Sequence, residues 1–138
     1  MEHSCVQLND LPDEIIMTIF KKLTNVEVLY SLLGVNKRLN RIAHDSIFTN
    51  DLRLFRSTSS SYGTVYSLPH EIHHRFCSHI LPEIHEKIEW LHLESHSIED
   101  ILRAADYPNL YGITFHDMYR RIALDLFTGK IFHFYFIH

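Results

Sequence analysis

Apolar residues in the first third of the chain recur at helical spacing. Ile15, Ile16, Ile19, Phe20 and Leu23 spread over about 140° of a helix surface at roughly 100° per residue, and Met17 widens the arc. The helix is expected to start near Pro12, whose missing N–H costs nothing in a first turn; Asn9 and Asp10 are the candidate caps, and Asp13 and Glu14 suit the positive helix end. Thr24-Asn25-Val26-Glu27 has the spacing of a capping box, so a second helix starts there, and Gly34 stops it. Within it Val26, Val28, Leu29, Leu32 and Leu33 cover about 160°. A third helix is expected from about Val35 to Ala43. Both apolar arcs exceed what one neighbouring helix covers, and contiguous exposed apolar surface marks a protein interface. The alternative is that the rest of the chain covers these faces.

The run Leu11-Pro12-Asp13-Glu14-Ile15-Ile16, then Ile19-Phe20, Leu23, Val35-Asn36-Lys37-Arg38, and Ile42-Ala43 with Asp45 follow one another in a recognisable order and spacing. In these residues the stretch 8–55 resembles an F-box, the module by which substrate receptors attach to cullin-RING ubiquitin ligases. The resemblance implies that Leu11, Pro12, Ile16, Ile19, Leu29, Val35 and Leu39 contribute to a surface gripped by a Skp-type adaptor, which in turn joins the cullin-RING scaffold. Two positions depart from the pattern. Leu39 stands where the family usually has Trp or another aromatic residue, and Phe48 replaces the late Trp one position early. Losing an aromatic anchor is expected to weaken adaptor affinity without abolishing it.

After Phe55 the residues become small and polar, Arg56-Ser57-Thr58-Ser59-Ser60-Ser61-Tyr62-Gly63, and 56–66 reads as a linker. Beyond it Leu68, Ile72, Phe76 and Ile80 recur at every fourth position, so an amphipathic helix is expected, with Ser67 as its cap and Pro82 ending or bending it. This helix carries His70-Glu71-Ile72-His73-His74, which satisfies H-E-x-x-H, a pattern in which two His ligate zinc and the Glu activates a water. With 12 His in 138 residues the pattern arises readily by chance. His70 and His74 also lie opposite the apolar stripe, on the solvent side. The zinc-hydrolase reading therefore ranks below a solvated helix face, and no cofactor or metal is expected.

Ile88-x-x-Leu91-x-Leu93 and Leu110-x-x-Ile113-x-Phe115 share one pattern at an offset of 22 residues, and Ser97-Ile98-Glu99-Asp100 starts a helix between them, with Asp in the Glu position of a capping box. Strand, helix and strand in this order predict neighbouring parallel strands. The part 67–138 thereby resembles a short leucine-rich-repeat region, with an ordinary small α/β packing as the alternative. A further helix is expected at 119–128 and a strand at 131–138, where Phe132, Tyr135 and Ile137 continue the register. A repeat array that stops on an apolar strand leaves an uncovered edge, so the chain reads as a shortened receptor.

Composition narrows the choice further. A hydrophobic content of 46% suffices for a packed core, and a net charge of -4 with only short basic runs argues against a nucleic-acid partner. The N-terminus lacks the layout of a signal peptide, and no apolar run reaches the roughly 18 residues of a membrane helix. The two cysteines, Cys5 and Cys77, give no disulfide framework. The expected fold is mostly α with a small α/β part: a three-helix F-box, then a short leucine-rich-repeat-like β/α region. The expected protein is a cytoplasmic or nuclear, non-catalytic substrate receptor that holds an unknown protein substrate near the ligase. A non-ligase repeat scaffold is the runner-up.

Overall fold

The computed structural model describes residues 6–57 and 64–116. Helix α1 (Asp13–Phe20) starts with Pro12 at its N-cap, where the Pro12 carbonyl accepts from the Ile15 and Ile16 N–H groups at 3.1 Å each. Asp10 does not cap α1. Its carboxylate instead accepts from the Gln7 N–H, 3.0 Å away, closing a single 3-10 turn over Leu8–Asp10. Helix α2 (Asn25–Leu32) begins at the expected box, with Glu27 N–H donating to Thr24 Oγ1 (3.1 Å) and Thr24 N–H to Glu27 Oε2 (3.0 Å). Gly34 turns the chain at φ +81°, a backbone region that disfavours side chains. Helix α3 (Lys37–Ala43) is capped by Asn36, whose Oδ1 accepts from Leu39 N–H at 2.9 Å, so Val35 lies in the connection and not in the helix. A short α4 (Ser46–Thr49) follows, capped by Asp45.

Strand β1 (Asp51–Arg53) comes directly after α4 and pairs in parallel with β4 (Trp90–Glu94), which pairs in parallel with β5 (Gly112–His116). Leu91 faces Ile113 and Leu93 faces Phe115, so the 22-residue offset in the sequence is the register of the sheet. Each step of the sheet opens in the same way. The Asn50 carbonyl accepts from Glu89 N–H and Trp90 N–H at 2.9 Å, and the Glu89 carbonyl accepts from Tyr111 N–H at 2.7 Å and Gly112 N–H at 3.2 Å.

Helix α7 (Ile98–Ala104) connects β4 to β5. The capping box expected at Ser97 does not form, because the Ser97 hydroxyl donates to Glu94 Oε1 instead. The buried Glu94 carboxylate also accepts from His96 N–H at 2.8 Å, so the acid of β4 is satisfied at the entrance to α7.

Strands β2 (Arg56–Ser57) and β3 (Val65–Tyr66) form an antiparallel ladder, so part of the expected linker is ordered pairing. Helix α5 (His70–Arg75) then starts after Pro69, with no side-chain cap from Ser67. It runs on through a π-helical segment (Phe76–Ile80) into α6 (Leu81–Ile84). Pro82 does not end the helix; it stands in the first turn of α6. The wider turn just before it, where Leu81 N–H reaches back to the Phe76 carbonyl, accommodates a residue that has no N–H to give.

One hydrophobic core joins the helical and sheet parts: Leu29 and Phe48 pack in the same cluster as Leu52, Phe76, Leu91 and Ile101. The division expected after Phe55 is therefore not a break in packing. Helix α2 sits at the centre, against α3, α4, β1 and the π-helical segment, and its whole apolar arc from Val26 to Leu33 is buried. The surplus surface expected on α2 is thus covered by this chain itself. Arg75 fastens the long helix to this layer by donating to the Leu33 carbonyl at 3.1 Å and lying over the Tyr30 ring. Lys87 adds a bond to the His44 carbonyl at 2.8 Å. The helix expected at 119–128 and the strand expected at 131–138 lie outside the described residues.

Candidate functional site

Helix α1 buries Ile16 and Phe20 and leaves the adjoining edge of its apolar arc facing outward. Ile15 (47% exposed), Ile19 (41%) and, in the following turn, Leu23 (43%) recur at intervals of four along the helix direction. Val35 adds a further apolar surface, 58% exposed. Fully burying side chains of this size is worth roughly 1.5–3 kcal/mol each, and about half of that remains to be gained here by covering the stripe.

The chain just before α1 is held from the side by α3. Arg38 donates to the Asn9 carbonyl (2.7 Å), to the Leu11 carbonyl and to Asp13 Oδ1 (2.8 Å), while Arg41 reaches Asp13 Oδ2 at 3.1 Å. The Arg38 guanidinium, and after it that of Arg41, holds the Asp13 carboxyl below the usual carboxylate range. A planar donor fork is suited to this task, because it satisfies two backbone carbonyls and a carboxylate at once. Leu11 and Pro12 are thereby fixed at the edge of α1, with Leu11 partly buried and Pro12 exposed.

The structure divides the seven residues that the F-box resemblance singles out. Pro12, Ile19 and Val35 are exposed and Leu11 partly so; Ile16, Leu29 and Leu39 are buried in this chain's own core. The buried three support the surface from beneath. The leucine at position 39 therefore alters internal packing first, since its side chain is only 4% exposed, and Phe48 likewise lies in the core. Ile15 and Leu23 were not among the seven, although their spacing from Ile19 was a sufficient signal. The bracing role of Arg38 had no signal in the sequence, where Lys37-Arg38-Arg41 reads as a solvated face.

Residues 8–54 match the family model described as F-box-like. The chain carries an F-box-like domain. F-box domains generally bind Skp-type adaptors and are typically non-catalytic. The matched stretch includes β1, so the domain supplies the first strand of the sheet as well as α1 to α4. No curated protein and no solved structure matches the chain.

The H-E-x-x-H residues stand at the start of α5, with His70, Glu71 and His74 all exposed and the two His rings 6.3 Å apart. Among the described residues no group of three His, Cys, Asp or Glu side chains is placed to hold a metal ion. His73, beside them on the helix, faces Asp100 of α7 at 3.0 Å. Next to it burial, with Asp100 adding to it, pushes the Cys77 thiol up to about 11, which suits an unreactive thiol.

The outer face of the sheet carries a second polar cluster. Asp51 Oδ1 lies 2.8 Å from His92 Nε2, out of line for a directed hydrogen bond. His92 Nδ1 meets the Thr114 hydroxyl, which in turn lies 3.2 Å from His116 Nε2. The Phe55 ring covers His116 at 4.7 Å. Burial lowers the pKa of His116, and the nearby His92 and Arg53 add to the shift.

Proposed function

We propose that this F-box-like chain is the substrate-receptor subunit of a Skp/cullin/F-box ubiquitin ligase. The observation that carries the reading is the uncovered stripe Ile15, Ile19 and Leu23, with Val35, inside the F-box-like residues. In this reading the adaptor covers the stripe and the Leu11–Pro12 edge, and the cullin-RING scaffold follows through the adaptor. The chain itself performs no chemistry. It raises the local concentration of a substrate lysine beside the ubiquitin-loaded enzyme, which is catalysis by proximity.

The parallel strands β4 and β5 with α7 between them, at a 22-residue spacing, support reading the second part as leucine-rich-repeat-like and as the carrier of the protein substrate. Neither a nucleic-acid nor a membrane partner belongs to this proposal, and the protein acts in the cytoplasm or nucleus. Among the described residues no helix is long and apolar enough to cross a membrane.

Co-expression with a Skp-type adaptor followed by size-exclusion chromatography tests the reading, with Ile15→Asp/Ile19→Asp as the paired variant. A one-to-one complex that the variant loses supports it. A folded wild-type chain that leaves the adaptor uncomplexed overturns it. That second outcome favours the scaffold alternative, for which the pairing of β1 with β4 is the supporting observation, because it makes the F-box-like residues the first layer of the sheet.

A further inference from the structure

The α2 N-terminus, β1, β2 and the start of α5 enclose a cavity of about 850 Å³, within the range of pockets that take a ligand. No residue of α1 or of the docking stripe lines it. Its apolar lining comes from three directions: Val26 on α2, Phe55 after β1, and Leu68 and Ile72 around the start of α5. Its polar lining is balanced in formal charge, with Glu27 and Asp51 against Arg53 and Arg56, but the two signs are not equally free.

Both carboxylates are already engaged. Glu27 accepts from the Thr24 N–H in the capping box, and Asp51 faces His92. Neither guanidinium is ion-paired among the described residues. Among the same residues the one hydrogen bond of the Arg56 guanidinium runs from its Nε–H to the Ser67 carbonyl, 3.0 Å away. A cavity with an apolar wall and two guanidinium groups that carry no ion pair among the described residues is complementary to an apolar side chain carried beside carboxylates.

We propose that this cavity binds an extended acidic peptide segment, seating a Leu-sized side chain against Phe55, Leu68 and Ile72 and its neighbouring carboxylates on Arg53 and Arg56. The two arginines stand three residues apart on consecutive strands, so they meet acidic groups on either side of the apolar residue. The site depends on the cavity alone, not on adaptor docking, and its occupancy is read with the adaptor absent.

The experiment is fluorescence anisotropy on the full chain with a fluorescein-labelled peptide Gly-Asp-Leu-Glu-Leu-Asp-Gly, beside its counterpart carrying Lys at each acidic position. The acidic peptide is expected to bind at least tenfold more tightly than the basic one, and more weakly as NaCl rises from about 0.05 to 0.5 M. Arg53→Glu/Arg56→Glu should lose at least tenfold while adaptor capture is unchanged. Should that variant unfold by circular dichroism, Arg53→Gln/Arg56→Gln carries the same test with a smaller perturbation. Absent binding by a folded wild-type chain, equal binding of the two peptides, or an unaltered affinity in the folded variant overturns the proposal.

Discussion

The Arg38 guanidinium and the Asp13 carboxylate meet at 2.8 Å across 25 residues of sequence, and the same guanidinium holds the carbonyls of Asn9 and Leu11. One side chain of α3 thus fixes the edge at which α1 begins. Arg38→Met keeps much of the aliphatic stem and removes the donors. It should lower the stability of the fold, by less than a buried pair would because Asp13 is solvent-screened. Urea denaturation reads this loss. A carboxyl-carbon NMR titration should show the Asp13 pKa rising toward 3.8, while Arg41 retains part of the shift. The contribution of this pair to stability is present above pH 3.8 and fades as the pH falls through the depressed folded value.

Ile15 and Ile16 are neighbours with opposite duties. Ile16 is fully buried, so Ile16→Ala should cost roughly 2–4 kcal/mol in thermal or chemical unfolding. Ile15 is about half exposed, so Ile15→Ala should change stability by less than about 1 kcal/mol. A large stability loss at Ile15 would mean that the outer stripe is already covered by this chain.

Trp90 is the single tryptophan, and its indole lies over Gly112 on the next strand, so close that a Cβ at Gly112 would run into the ring. Gly112→Ala must therefore displace the indole. Since the ring is 43% exposed it can swing outward, and the expected cost is modest, about 1 kcal/mol. Its fluorescence should shift to the red and become more accessible to iodide. An unchanged spectrum would contradict the pairing of Trp90 with Gly112.

His116 sets a pH dependence of known sign. Its folded pKa lies below 6.5, so the unfolded chain takes up the proton first. Its contribution to stability is present above about pH 6.5 and is lost as the pH falls through the folded value. The charged and titratable neighbours are His92, Arg53 and, through His92, Asp51, with Phe55 packed on the ring. Denaturation at a series of pH values between 7 and 5 should show a shallower decline in His116→Asn than in the wild type. Equal slopes would remove His116 from this role.

Much of the local structure was legible in the residues. The capping box at Thr24 and Glu27, the stop at Gly34 and the 22-residue spacing of the two strands all depend on short-range chemistry or on a repeating pattern, and each is found in place. The F-box-like stretch was legible for the same reason, because its motif is a spacing of residues along the chain. The sequence left the choice of outer surface open. The apolar arcs of α1 and α2 look alike in one dimension, and only packing against α3, α4, β1 and the π-helical segment closes α2 while leaving α1 uncovered.

The same limit applies to contacts made at long range. No local signal pairs Asp51 with Trp90 or sends Arg38 to Asn9, since each partner has ordinary neighbours in sequence and the contact exists only once the chain has folded back. By itself, then, the sequence determined the first helices, the capping box of α2 and the family of the first domain, because those rest on interactions between near neighbours. The tertiary structure decided which apolar faces remain open, how the F-box-like residues join the sheet, and where two arginines are left beside a cavity, because burial and charge pairing are properties of residues brought together from far apart.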